Sequence, residues 1–235
     1  MSYAFFDVDD TLIRIKSMFD FFPFWCDLQG APETLDRFNT AFEHAFSERR
    51  PREDLNRLYY RFFAGENEVQ LLAAGRLWVK RRFGAQGLSE AMIFPEVLER
   101  LRAHRAGGVA PVFVSGSFPA LLTPLAQRMG AEHILCTRQE TGPDGTLTGE
   151  ILRPQTIGTG KADAIAAFLQ QHGTDPRTCF AYGDDMSDRT MLEAVGHPVA
   201  VIGSPDLADL ARARGWECLT TIAPKPAFAG ESTTS

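Results

Sequence analysis

At 235 residues with a formal net charge of −6 at pH 7, the chain is long enough for one α/β domain with a modest insertion and too acidic for a phosphate-backbone binder. No Lys/Arg-rich run offsets that balance, so nucleic acid is not an expected partner. Hydrophobic residues at 44% and charged residues at 23% are ordinary for a globular chain, 18 phenylalanines aside. Cys26, Cys136, Cys179 and Cys218 form no Cys-x-x-Cys pair. That excludes a zinc or redox motif and leaves reduced, buried thiols as the expectation. The opening residues lack a basic region followed by an apolar signal core, and no apolar run approaches the roughly 20 residues of a membrane span. A cytoplasmic protein without a membrane partner is expected.

In chain order, Phe5-Phe6-Asp7-Val8-Asp9-Asp10-Thr11-Leu12-Ile13 reads as a buried strand that ends in carboxylates. Residues 16–87 read as helical. Leu35, Phe38, Phe42 and Phe46, then Leu55, Leu58, Tyr59 and Phe62, then Val69, Leu72 and Val79 keep helical spacing, and Pro32, Pro51 and Gly65 punctuate them. A small bundle follows from that pattern. From Pro95 helices and strands alternate: a helix from Glu96 to Arg105, a strand from Val112 to Val114, a helix from Phe118 to Met129 and a short strand from Ile134 to Cys136. Residues 137–152 form a hairpin around Pro143-Asp144-Gly145. There follow a helix from Lys161, a strand from Cys179 to Tyr182, a helix carrying Met191, Leu192 and Val195, and a strand from Val199 to Ile202. A helix capped by Asp206 and a last strand from Trp216 to Leu219 complete the pattern. Such alternation predicts a parallel sheet covered on both faces, with the helical stretch inserted above its carboxyl edge. Residues 223–235, with prolines and a Ser/Thr-rich end, read as a disordered tail.

The carboxyl edge of such a sheet is where ligands bind, and four motifs fall there. Asp7 and Asp9 at a strand end repel each other unless a cation lies between them, which suggests Mg²⁺ with oxygen ligands. Ser115-Gly116-Ser117 ends a strand with a hydroxyl and free backbone N–H groups before a helix, a seat for an anion or an ordinary helix cap. Lys161 starts a helix and offers a cation to phosphate. Asp184, Asp185 and Asp188 add acids at another strand end. The run Phe19-Asp20-Phe21-Phe22-Pro23-Phe24-Trp25 serves either as the lining of an apolar substrate pocket or as aromatic core for the bundle.

The order Asp-x-Asp-x-Thr, Ser-Gly-Ser, Lys and Gly-Asp-x-x-x-Asp resembles the haloacid dehalogenase-like phosphatase superfamily, and from residue 3 to about 219 its phosphoserine phosphatase (SerB-like) branch. The resemblance implies a Rossmann-like α/β fold with a catalytic core of residues 1–15 and 88–222 and a helical cap of residues 16–87. It implies a Mg²⁺-dependent phosphomonoesterase acting on a small phosphorylated metabolite. Asp7 would be the nucleophile that forms an aspartyl-phosphate and Asp9 the general acid and base. Asp7, the Asp9 carbonyl, Asp184 and Asp188 would hold Mg²⁺, and Ser115, Gly116 and Lys161 the phosphoryl group. Two departures weigh against phosphoserine itself. Lys16 stands where the relatives carry a glutamate for the substrate ammonium, with Ser17 the alternative should the alignment slip by one, and Ser187 replaces the usual Asn of the last motif. Lys16 reads either as a receptor for an anionic substrate group or as a solvated hinge residue. A phosphotransferase using the same aspartyl-phosphate and a non-catalytic phospho-ligand binder are the rival functions.

Overall fold

A computed structural model of the protein describes residues 2–221; the expected tail, 223–235, lies outside the described residues. Six parallel strands form one sheet in the order β3-β2-β1-β6-β7-β8. They are β1 (Ser2–Phe6), β2 (Val109–Ser115), β3 (His133–Cys136), β6 (Phe180–Gly183), β7 (His197–Val201) and β8 (Glu217–Leu219). After β1 the chain runs through α1 (Ser17–Gln29), α2 (Pro32–Ser47), α3 (Arg52–Arg61) and α4 (Glu68–Phe83). It returns to the sheet through α5 (Pro95–Ala106), and α6 (Pro119–Met129) follows β2. The hairpin of β4 (Gln139–Thr141) and β5 (Leu147–Ile151), then α7 (Thr159–Gln171), α8 (Arg189–Glu193) and α9 (Pro205–Arg214), complete the chain. This is the α/β, Rossmann-like architecture that the alternation predicts.

Alternate β1 side chains separate the two hydrophobic layers. Tyr3 and Phe5 face Ile165, Phe168 and Leu169 of α7, Leu192 of α8 and Leu207 of α9, whereas Ala4 and Phe6 join α5, α6 and the helices of residues 17–83. Burial on both faces explains why the strand reads as a continuous apolar run. Connections lead to β2 on one side of β1 and to β6 on the other, so the crevice between β1 and β6 is a topological switch point, where side chains beyond the strand ends converge.

Several local expectations are corrected. β2 begins at Val109 rather than Val112: pairing with β3 starts only at Val112, so the missing N–H of Pro111 falls outside that ladder, and its carbonyl accepts from Glu132 N. Ser204, not Asp206, is the N-cap of α9, with Pro205 at the first helical position. Phe46 and Val69, expected to face inward, stand exposed in terminal turns of α2 and α4. Of the two readings of the aromatic run, Phe21, Phe22 and Trp25 take the core one, and Phe22 stacks on Phe38 with ring centroids 4.0 Å apart. The expected hairpin is present, and it pairs with the loop between α3 and α4: Gly65 N donates to the Leu147 carbonyl and Leu147 N to the Glu66 carbonyl, both at 2.8 Å.

Helix α4 lies against α6 so closely that a Cβ at Gly75 would come 2.0 Å from the Ala120 carbonyl oxygen. Backbone touches backbone there, and no rotamer relieves an added methyl. Gly75→Ala is therefore expected to lower stability by about 3 kcal/mol, measured by urea denaturation; a change below about 0.5 kcal/mol would contradict that contact.

Candidate active site

β1 ends at Phe6, and Asp7 follows with its N–H on the Tyr182 carbonyl of β6 at 2.9 Å. The backbone then turns: Leu12 and Ile13 N–H both bond the Val8 carbonyl, and Asp10 adopts φ +63°, a left-handed conformation that Asp tolerates. This loop brings the acids together above the crevice. Asp7, Asp184 and Asp188 are buried, with carboxylate oxygens within 4.8 Å of one another. Lys161 Nζ, from the first turn of α7, reaches Asp7 Oδ1 at 2.5 Å and Asp188 Oδ1 at 2.6 Å. Thr11 Oγ1 lies 3.0 Å from Asp7 Oδ2 and 2.9 Å from Asp184 Oδ1, tying the first acidic strand end to the second. Asp188 Oδ2 accepts from Asp184 N and Asp185 N at 3.2 and 3.3 Å. Gly183 makes that approach possible, since a Cβ there would come 2.6 Å from the Asp188 Cβ.

The electrostatics follow from burial. Removal from water pushes the Asp7 carboxyl up to about 8, against the pull of Lys161 and with added repulsion from Asp188 and Asp184. Burial acts downward on Lys161, but Asp188 and Asp7 outweigh it and push its ammonium up, so it keeps its proton. Three carboxylates around one ammonium leave negative charge that a divalent cation offsets, and an all-oxygen donor set of this closeness fits Mg²⁺.

Asp9 stands apart from this trio. Its Oδ2 accepts from both the N–H and the hydroxyl of Ser17, each at 3.0 Å, at the first turn of α1. Its Oδ1 is buried without a hydrogen-bond partner. Burial pushes this carboxyl up to about 6, with Lys16 and Ser17 opposing the rise. Ser17 thus faces Asp9. Lys16 is not a solvated hinge residue: its Nζ lies 2.6 Å from Asp10 Oδ2, with its side chain one-third exposed. Burial would lower its ammonium, and Asp10, Asp9 and Asp184 together push it up.

Ser115 ends β2 and Gly116 and Ser117 follow it; Ser117 N donates to Ser115 Oγ at 3.1 Å, and the Ser117 and Ser17 hydroxyl oxygens lie 3.1 Å apart. Asp185, expected among the facing acids, instead caps the short 3₁₀ turn Met186–Asp188 and pairs with Arg52 of α3 at 3.0 Å. The same Arg52 donates to Ser187 Oγ at 2.9 Å. Sequence reading missed Arg52, Asn56, Tyr60 and Thr11 as neighbours of the site. Only Thr11 carried a signal, as the last residue of its motif; the α3 residues become neighbours only by tertiary packing.

The family model of haloacid dehalogenase-like hydrolases matches residues 4–193. This chain belongs to that family. Its similarities run to the phosphoserine phosphatase-like members expected from the motifs. It is 28% identical to phosphoserine phosphatase SerB1 of Mycobacterium tuberculosis over 232 residues, covering 91% of this chain and 69% of the relative. It is 36% identical over 133 residues to a probable phosphatase of the same organism, covering 57% of this chain and 46% of the relative. It is 36% identical over 132 residues to the inhibition of morphological differentiation protein of Streptomyces azureus, covering 56% of this chain and 47% of the relative. The chain thus spans about half the length of these last two relatives. Among solved structures, a Bordetella pertussis protein of unknown function superposes with a TM-score of 0.80 at 25% identity, covering 93% and 97% of the two chains. A substrate-bound phosphoserine phosphatase superposes at 0.62 and 18% identity over 93% and 92%, which shows a shared fold. Among the described residues no helix is long and apolar enough to cross a membrane.

Proposed function

We propose that this chain is a Mg²⁺-dependent phosphomonoesterase that hydrolyses a small phosphorylated metabolite, with residues 1–15 and 88–222 as catalytic core and 16–87 as cap. The observation that carries the reading is the division of labour among the acids of the site. Asp7 shares Lys161 with Asp188, whereas Asp9 keeps one buried oxygen without a partner and a carboxyl poised near neutrality. A proton donor needs such a free oxygen and such a value.

In this reading the Asp7 carboxylate attacks phosphorus, the ester P–O bond breaks, and Asp9 gives its proton to the departing alkoxide. Asp9 then takes a proton from the water that attacks the aspartyl-phosphate, which releases orthophosphate and restores Asp7. The Ser115 hydroxyl, the Gly116 N–H and the Lys161 ammonium hold the phosphoryl oxygens. Asp7, the Asp9 carbonyl, Asp184 and Asp188 would hold Mg²⁺, which would supply positive charge against those oxygens. A halide leaving group would need no proton, so Asp9 favours phosphate ester over carbon–halogen chemistry. Phosphate release from a panel of phosphorylated metabolites tests the reading, and added alcohol separates the rivals: an alkyl phosphate product would mark a phosphotransferase. No phosphate release from any ester would leave only the binder.

Lys16 is proposed to read the charge of the substrate. An ammonium beside Asp10 and Asp9 disfavours a substrate ammonium and attracts a carboxylate or second phosphate. Phosphoserine is therefore expected to be a poor substrate. Lys16→Gln should raise KM for the best anionic substrate by about tenfold or more, the worth of one charge-assisted contact. Turnover of p-nitrophenyl phosphate should stay within about twofold. Equal effects on both substrates, or efficient hydrolysis of phosphoserine by the unaltered chain, would reduce Lys16 to a structural partner of Asp10.

A further inference from the structure

Two side chains of α3 reach from the helical layer to the turn after β2. Asn56 Nδ2 and Tyr60 Oη both donate to the Gly116 carbonyl, at 2.9 and 2.8 Å. Four positions apart, they share one helix face, and both are buried. Apolar residues would fill that face at lower desolvation cost, so two donors aimed at one oxygen call for an explanation beyond packing. Gln155, from the segment after β5, dictates how the Asn56 amide points: its Nε2 donates to Asn56 Oδ1 at 2.8 Å. Burial pushes the Tyr60 phenol well above its ordinary value, so it remains a donor.

The Gly116 carbonyl is one end of a planar peptide unit whose other end is the Ser117 N–H. That N–H donates to Ser115 Oγ at 3.1 Å. Holding the carbonyl therefore aims the N–H, and the N–H occupies one lone pair of the Ser115 hydroxyl. A hydroxyl has one proton and two lone pairs. With one lone pair engaged, the directions left to its proton narrow, and two donors on the carbonyl polarise the peptide and strengthen its N–H.

We infer that Asn56 and Tyr60 are positioning residues for the phosphoryl site: through the Gly116–Ser117 peptide they set the orientation in which the Ser115 hydroxyl meets a phosphoryl oxygen. The inference rests on the phosphatase reading, which assigns Ser115 to that group. It makes the phosphoryl subsite complete only while α3 is seated on the turn, so affinity for phosphate depends on a helix that need not touch phosphate.

The test is calorimetric titration of the full chain with inorganic phosphate in the presence of Mg²⁺, as a double-mutant cycle of Tyr60→Phe and Ser115→Ala. Tyr60→Phe keeps the ring and removes one donor; it should weaken phosphate binding about fivefold, the worth of one ordinary hydrogen bond. In the Ser115→Ala background the same change should matter less than about twofold, because the hydroxyl it orients is gone. Asn56→Leu, of similar volume without the donor, repeats the cycle should Tyr60→Phe disturb the aromatic packing. Equal effects in both backgrounds, or none in either, overturn the positioning role while leaving the phosphatase reading intact. Failure of the unaltered chain both to bind inorganic phosphate and to release it from any ester overturns the phosphatase reading, and the role of Ser115 with it.

Discussion

Asp7→Asn is expected to lower kcat by more than about a hundredfold while the chain still folds. The amide has nearly the shape and volume of the carboxyl, and swaps that conserve volume are the best tolerated in a buried site. Thr11 Oγ1 and Lys161 Nζ both donate to Asp7, and the amide oxygen accepts one of those bonds; the other partner retains Asp184 or Asp188. What the amide lacks is a lone pair nucleophilic enough to attack phosphorus. Single-turnover assays with intact mass measurement should find an aspartyl-phosphate on the unaltered chain and none on Asp7→Asn. If the variant keeps more than about a hundredth of the original kcat, a loss below about 2.7 kcal/mol, Asp7 is not the nucleophile.

The second large effect is expected from the metal. Chelation should abolish phosphate release, Mg²⁺ should restore it, and Ca²⁺ should inhibit. The reason is the donor set: buried oxygens of Asp7, Asp184 and Asp188 within 4.8 Å of one another, with Lys161 as the compensating cation. Mg²⁺ accepts a compact octahedron of oxygens, whereas Ca²⁺ takes more ligands at longer distance and tolerates bidentate carboxylates, which engages the Asp7 oxygen that has to attack. Asp184→Ala should raise the Mg²⁺ concentration needed for half-maximal rate by about tenfold or more. Full activity in excess chelator, or an unchanged Mg²⁺ requirement in Asp184→Ala, would remove the metal from the reading.

Sequence and structure divide unevenly along the chain. The acids, Ser115, Gly116 and Lys161 were legible because each stands at an element end that the local pattern announces: an apolar strand running into carboxylates, or a glycine-marked helix start. Helical spacing likewise announced a bundle between residues 16 and 87, and alternation announced the sheet, since period and burial are local properties. Val69 and Phe46 show where this stops. Both keep helical spacing, yet each lies in a terminal turn where packing, not period, decides exposure.

The sequence by itself determined which candidate residues lie at the carboxyl edge of the sheet, because that follows from side-chain type and from position relative to strand ends. Only the tertiary structure decided who faces whom. Lys16 neutralises Asp10, Ser17 holds one oxygen of Asp9 and leaves the other free, Asp185 leaves the acid cluster for Arg52, and Asn56 and Tyr60 grip the Gly116 carbonyl. Each of those α3 contacts joins residues at least 56 positions apart. The hydrogen-bonding direction and burial that set them arise only when α3 is laid against the carboxyl edge, and no local periodicity encodes that.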